Sequence, residues 1–110
     1  MTEDLVLGGD ALTIAQVAAA ARNPQVSVSF VDGVTERVRS NSALATKIAA
    51  EHSLYGRTTG VGANRDVIAD DRDGEHGRRL LRSHTAGYGD VLAPEVGRAL
   101  LIVRAHQLVL

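Results

Sequence analysis

The sequence predicts a mainly α-helical protein with short β segments near its N-terminus. Apolar residues recur at helical spacing in several stretches, helix start and stop signals bracket those stretches, and strict apolar-polar alternation is confined to the first third. The 45% hydrophobic and 23% charged content is typical of a folded protein. We expect residues 1–110 to form a single domain.

The first third predicts a strand, a helix and a second strand. Leu5–Leu7 is a short apolar run that a glycine-rich turn follows. Thr13 and Gln16 fit a capping box, so a helix should begin there and run to Arg22, where an Asn-Pro pair ends it. Residues 25–30 then alternate between apolar and polar side chains, which is the pattern of a half-buried strand.

Two more helices are predicted in the middle of the chain. Asp32 suits the N-cap of a second helix, whose apolar positions recur at near-helical spacing. A third helix is expected over residues 76–86, with Leu80 and Leu81 facing inward and a Gly-Tyr-Gly stretch ending it. Between them, residues 55–62 are rich in glycine and threonine and predict an ordered loop, and residues 66–74 predict an acidic loop.

A fourth helix should begin near Pro94 and Glu95 and continue over residues 94–110. This helix is apolar on nearly every side, which is typical of a buried helix. A domain of this size has little structure with which to cover it. We expect a partner chain, a further C-terminal portion or copies of this chain to cover it, the alternative being the core helix of a self-sufficient domain.

Composition and charge argue against several function classes. The net charge of -1 gives no field that would attract nucleic acid or anionic membranes, and cysteine is absent. The acidic N-terminus does not resemble a signal peptide, and no apolar run reaches the length of a membrane span. We expect a soluble cytoplasmic protein that binds neither nucleic acid nor membrane.

Few residues are candidates for chemistry. The glycines of residues 60–62 lack the third glycine of a dinucleotide fingerprint, and the four histidines lack the spacing of metal ligands, so we predict no metal site. What remains is Tyr55, which opens the glycine- and threonine-rich loop, and the pair Ser83 and His84. Taken alone, each also fits a structural role, since a lone tyrosine is commonly half-buried and a lone histidine commonly a surface or capping residue.

Several motifs in order along the chain carry a family resemblance. Tyr55-Gly-Arg-Thr-Thr-Gly-Val-Gly62 resembles the Tyr-Gly-x-x-Thr-Gly-Phe-Gly loop of the aromatic amino acid ammonia-lyases and aminomutases. Leu80-Leu-Arg-Ser-His-Thr-Ala-Gly87 and Pro94-Glu-Val-Gly-Arg-Ala-Leu100 are similar to the family's Ser-His-x-x-Gly segment and following helix. Leu7-Gly-Gly-Asp-Ala-Leu-Thr-Ile14 is similar to its Leu-x-Gly-x-x-Leu-Thr start. The resemblance implies the N-terminal helical part of the ammonia-lyase fold.

The resemblance also implies a chemistry. In that family a methylidene-imidazolone, formed from an Ala-Ser-Gly tripeptide, captures the substrate amine, and a loop tyrosine removes the β-proton. This gives Tyr55 the role of base, His84 and Ser83 the role of substrate contacts, and Gly56, Gly60 and Gly62 the shaping of the loop. A free phenol is a poor base near neutral pH because its pKa is about 10, so the site must stabilise the phenolate.

The substrate is less defined than the chemistry. Members of the family with Ser-His at this position resemble histidine ammonia-lyases, and an imidazole at His84 would pair with a polar ring. We therefore expect histidine first and tyrosine second. Arg57 and Val61 depart from the family's pattern, in which an apolar or small residue and a phenylalanine are usual, so the pocket can differ.

Ala-Ser-Gly occurs nowhere in these 110 residues. We therefore expect the isolated chain to be inactive and a larger lyase-like chain to supply the electrophile in a hetero- or homo-oligomer. Three alternatives stay open: a regulatory or scaffolding paralogue without catalysis, an amino acid aminomutase component, and an unrelated helical binding domain.

Overall fold

The structure is a computed structural model and describes residues 4–69, 71 and 74–110. The described residues form strands β1 (Leu5–Leu7) and β2 (Val28–Phe30) and helices α1 (Ile14–Arg22), α2 (Val34–Glu51), α3 (His76–His84) and α4 (Pro94–Val109), with a short 3₁₀ turn at Gly62–Asn64. The prediction of a mainly helical fold with short β segments near the N-terminus is confirmed. No helix among these residues has both the length and the hydropathy to cross a membrane.

The chain folds into two compact units. The terminal unit contains Met1–Ser40 and Asp90–Leu110, and the middle unit contains Asn41–Gly89. In the terminal unit β1 and β2 pair in parallel, with Leu5 opposite Val28, and α1 forms the crossover between them. Leu5 and Leu7 are buried with Ala20 of α1 and Ile102 of α4, and these side chains form the core of the unit.

Both ends of α1 are fixed by hydrogen bonds, as the sequence predicts. Thr13 Oγ1 accepts from the Gln16 amide at 3.2 Å, and Gln16 Oε1 accepts from the Thr13 amide at 2.8 Å, so the capping box is present. At the other end Asn23 is the C-cap, and the guanidinium of Arg98 on α4 donates to the Ala21 carbonyl. The Arg98 bond also holds α1 against α4.

Gly8 connects three elements of the terminal unit. Its amide donates to Nδ1 of the buried His106 on α4 at 3.2 Å, and its carbonyl accepts from the guanidinium of Arg37 on α2 at 2.8 Å. Arg37 also donates to the Val109 carbonyl at the end of α4, where a cation is favourable. Gly8 has φ +86°, and a Cβ there would lie 2.9 Å from Cγ2 of Val34, so glycine is required.

The second strand differs from its prediction. It covers Val28–Phe30 only, and its side chains are exposed, Phe30 by 51%. The core is built around β1, so the side chains of β2 lie at its margin and only Val26, just before the strand, packs against it.

The start of α2 also differs. The helix begins at Val34, and the Arg37 amide donates to the Gly33 carbonyl, so the residue before the helix is Gly33 and not Asp32.

The third helix is shorter than predicted. It ends at His84, two residues before the predicted limit, and Leu81 is exposed although it was expected to face inward. Three side chains in and after the last turn hydrogen-bond to its carbonyls: Ser83 and His84 to Leu80, and Thr85 to Arg82. Such local bonds compete with continued helical pairing and end the helix before the Gly-Tyr-Gly stretch.

The fourth helix begins at Pro94 as predicted, but only one of its sides is buried within these residues. Ile102 and His106 are buried, whereas Leu101 is 72% exposed and Leu100 and Leu108 are also exposed. The described residues therefore cover only one side of this helix. That another chain covers the exposed side stays a prediction.

Candidate active site

The loop of residues 55–62 in the middle unit is held by its own backbone. After α2 ends, the amides of Arg57 and Thr58 both donate to the Leu54 carbonyl, at 3.0 and 2.9 Å. The Thr58 hydroxyl accepts in turn from the Leu54 amide at 2.8 Å. These bonds form a tight turn on which Tyr55 is displayed, its side chain 69% exposed.

Three glycines allow the backbone to take this path. Gly56 and Gly62 have φ of +71° and +59°, a region that side chains disfavour. At Gly60 a Cβ would lie 2.6 Å from the Asn64 carbonyl oxygen, so the close approach excludes any side chain. The loop geometry therefore depends on the glycines that the sequence analysis selected.

The loop returns along a short antiparallel pairing. The Gly60 amide donates to the Val67 carbonyl at 3.0 Å, and the Ala69 amide donates to the Thr58 carbonyl at 2.8 Å. Thr59 lies between them, bridged to Ile68 and only 6% exposed. The pairing supports the loop of residues 55–62, the tyrosine loop, on either side of Thr59.

The Tyr55 oxygen has a defined hydrogen-bond donor. The Gly62 amide donates to it at 3.0 Å, across the width of the loop. Arg57, the cation nearest to it in sequence, donates instead to the Thr46 hydroxyl of α2 at 2.8 Å. The group that the structure directs at the phenol oxygen is thus a backbone N–H, which stabilises negative charge there.

At the end of α3, the side chains of Ser83 and His84 share one hydrogen-bond acceptor, the Leu80 carbonyl oxygen. His84 Nδ1 lies 2.8 Å from the Leu80 carbonyl oxygen, and the Ser83 hydroxyl donates to the same oxygen at 2.9 Å. A carbonyl can only accept, so Nδ1 carries the proton. In the neutral ring this leaves Nε2 of His84 as a hydrogen-bond acceptor.

Tyr55 and His84 line one cavity. It has a volume of about 500 Å³, and Val61, Gly62, Leu80 and Leu81 form the rest of its wall. A second cavity of about 570 Å³ shares Val61, Leu80 and His84 with the first, and Ser83 and Gly60 line it too. The structure therefore brings Tyr55, its Gly62 donor and His84 together, and Ser83 lines the adjoining cavity.

The sequence predicts no metal site for His76 and His106 and gives no sign of the contacts that they make. His76 lines the second cavity and contacts the Thr59 carbonyl, and His106 is buried in the terminal unit. Both contacts join residues far apart in sequence, and histidine spacing alone carries no signal of them. In the described part of the chain no three acidic, histidine or cysteine side chains are grouped so as to hold a metal.

Comparisons with known proteins identify the family of the chain. The family described as "Aromatic amino acid lyase" matches residues 12–110. A probable histidine ammonia-lyase of Halobacterium salinarum is 38% identical over 109 residues, which are 97% of this chain and 21% of that protein. The chain thus spans about a fifth of the length of the curated relatives it matches.

Solved structures show the same relation. The crystal structure of the ergothioneine-degrading enzyme ergothionase from Treponema denticola superposes with a TM-score of 0.84 at 30% identity, covering 97% of this chain and 22% of that one. Tyrosine aminomutase from Streptomyces globisporus shares the fold, with a TM-score of 0.82 at 24% identity, covering 97% of this chain and 20% of that one. Because the family match covers nearly the whole sequence, the chain belongs to the aromatic amino acid lyase family.

Proposed function

We propose that these residues form the part of an aromatic amino acid ammonia-lyase that supplies the catalytic base and a contact to the substrate ring. Tyr55 is the base, and His84 is the ring contact. One observation carries the proposal: both residues line the same cavity, and the Gly62 amide donates to the Tyr55 oxygen.

Tyr55 removes the β-proton in this proposal, so its oxygen must carry negative charge before the transfer. The Gly62 N–H is fixed by the loop and is aimed at that oxygen, so no reorganisation is needed when charge develops. Val61 and Leu80 line the cavity beside Tyr55, and a partner that covers the exposed phenol would exclude water and strengthen this interaction.

His84 selects a substrate ring that can donate a hydrogen bond. Its Nδ1–H is bound to the Leu80 carbonyl, so Nε2 is the acceptor that remains. An imidazole N–H or a phenol O–H satisfies this acceptor, whereas a phenyl ring leaves it unpaired. The geometry thus supports a ring that can donate a hydrogen bond, and the similarity to histidine ammonia-lyases favours histidine as the first substrate and tyrosine as the second. The Ser83 oxygen lies 2.9 Å from His84 Nδ1 and helps to keep the imidazole in place.

The electrophile comes from outside these 110 residues in our proposal, since they contain no Ala-Ser-Gly. A methylidene-imidazolone on a partner chain would make the substrate amine a leaving group. The exposed Tyr55 side chain and its cavity fit such an arrangement, because the base is accessible from outside the middle unit.

The terminal unit offers an apolar surface to the partner. A groove of about 720 Å³ lies between α1 and α4, and its walls are mainly aliphatic, including Ile14, Val17 and Val103. Ile14 is almost fully exposed, and Leu100, Leu101 and Leu108 of α4 are exposed as well. We expect the larger lyase-like chain to cover these side chains.

The test is reconstitution with a larger lyase-like chain that carries Ala-Ser-Gly. We expect the complex to release ammonia and an α,β-unsaturated acid from histidine, and each separate chain to be inactive. Replacing Tyr55 by phenylalanine removes the base and should lower kcat on the order of 100-fold or more.

Tyr88→Phe is the matched control, because Tyr88 is a fully exposed tyrosine of the same unit. If Tyr55→Phe retains full activity in a complex that holds the electrophile, the base assignment is wrong. Appearance of a β-amino acid in place of the unsaturated acid would instead identify an aminomutase.

A further inference from the structure

His76 is the first residue of α3, and its ring contacts the tyrosine loop. The imidazole Nε2 lies 3.0 Å from the Thr59 carbonyl oxygen. Because a carbonyl only accepts, Nε2 carries the proton and donates. This hydrogen bond spans 17 positions and joins α3 to the loop that displays Tyr55.

The Thr59 carbonyl needs such a partner. In the antiparallel pairing the bonds are made by the residues on either side of it, from Gly60 to Val67 and from Ala69 to Thr58. The carbonyl of the residue between them points away from the paired strand. Thr59 is buried, so a carbonyl without a donor there would cost free energy, and the His76 ring satisfies it.

His76 is itself fixed from its backbone. Its amide donates to the Asp71 carboxylate at 2.7 Å, which anchors the start of α3. The ring is half-buried and lines the second cavity, which it shares with His84 at the far end of the same helix. One helix therefore carries the loop anchor at its start and the ring contact at its end.

We propose that His76 is a positioning residue, which sets the place of Tyr55 relative to His84 by holding the Thr59 carbonyl. The catalytic part of this inference rests on the proposed function. Loss of the hydrogen bond would release the loop from α3 and misplace the base, while His84 would keep its contacts at the helix end.

Two amide substitutions at His76 test whether the donor must reach the Thr59 carbonyl or whether any polar side chain suffices. Glutamine can place its amide nitrogen where Nε2 lies, whereas the shorter asparagine cannot reach the Thr59 carbonyl. In the assembled enzyme we expect His76→Asn to lower kcat on the order of 10- to 100-fold, because a misplacement of about 1 Å has effects of this size. His76→Gln should retain kcat within roughly threefold, and KM should change little in either variant.

His52→Asn is the control, since His52 is an exposed histidine of the same unit. We expect it to behave as the unchanged protein does. Equal kcat for His76→Asn and His76→Gln would overturn the inference, whether both were active or both impaired.

Hydrogen exchange gives a readout that needs no catalysis. The Gly60 and Ala69 amides report the pairing beside Thr59, and His76→Asn should speed their exchange at least about tenfold relative to His76→Gln. If the complex shows no lyase activity but exchange responds this way, the anchor stands and the proposed function fails. If exchange is the same in both variants, His76 does not hold the loop.

Discussion

Single glycines decide the backbone path at several points, and Gly8 is the most constrained of those in the terminal unit. A methyl group there would lie 2.9 Å from Cγ2 of Val34 and 3.1 Å from Cγ2 of Val109, at a φ of +86°. Backbone strain and steric clash therefore act together. Gly33 has a similar φ of +80° but no atom near a Cβ. An alanine at position 33 would therefore meet the backbone strain without the steric clash.

We expect Gly8→Ala to lower the free energy of unfolding more than Gly33→Ala does. The positive φ alone costs about 1 to 3 kcal/mol, and the displaced Val34, Val109 and Arg37 side chains add to it at Gly8. Denaturant unfolding of the two variants measures the difference. Equal losses would show that the clash at Gly8 is relieved without cost.

Among single residues, the sequence predicts some members of the candidate site and misses others. Tyr55 and His84 stand out because a motif surrounds each of them. The Gly62 donor, the His76 anchor and the His106 contact to Gly8 could not be predicted, since each depends on how distant or looped backbone segments meet. Residue type and spacing along the sequence do not predict such contacts.

The helices were predicted best where local chemistry fixes their ends. The capping box of α1 and the proline at the start of α4 depend on neighbouring residues only, and both are found. The end of α3 and the extent of β2 were wrong, because side-chain bonds to carbonyls shorten the helix and the core forms around β1. Local side-chain bonds thus override the apolar pattern at the end of α3, and tertiary packing does so at β2.

The exposed side of α4 predicts that one substitution there affects binding to a partner but not the stability of the isolated chain. Replacing Leu101 by lysine should leave the free energy of unfolding of the isolated chain within about 0.5 kcal/mol, because the side chain is exposed. The same change should weaken binding to the larger lyase-like chain at least tenfold, since a charge would be buried there. Isothermal titration calorimetry measures the binding.

Leu101→Met is the control at the same position, because it keeps an apolar side chain of similar volume. It should bind as the unchanged chain does. Equal affinities for the lysine and methionine variants would place Leu101 outside the interface.

For the whole molecule, the fold class and the family could be predicted from sequence, because motifs cover nearly its entire length. The division into two compact units could not, since periodicity describes single elements and not which of them share a core. The apolar surface that α4 leaves exposed was expected from sequence, whereas the groove that it forms with α1 was not.

The charge balance of the whole chain predicts how the complex responds to salt. With a net charge of -1 and an aliphatic docking surface, association should depend little on ionic strength. Between 50 and 500 mM sodium chloride we expect the Kd for the larger chain to change by less than roughly threefold. A change of 100-fold would mean that ion pairs, and not the apolar groove, hold the two chains together.

The contacts of Gly8 also fix an order of folding. Its partner His106 is 98 positions away, and Arg37 reaches Val109 across 72 positions, so the core of the terminal unit can close only after residue 109 has been synthesised. The bonds of the tyrosine loop span far fewer residues and pay a smaller loop-closure entropy. We therefore expect the loop that displays Tyr55 to form during synthesis, before α4 can pack against β1.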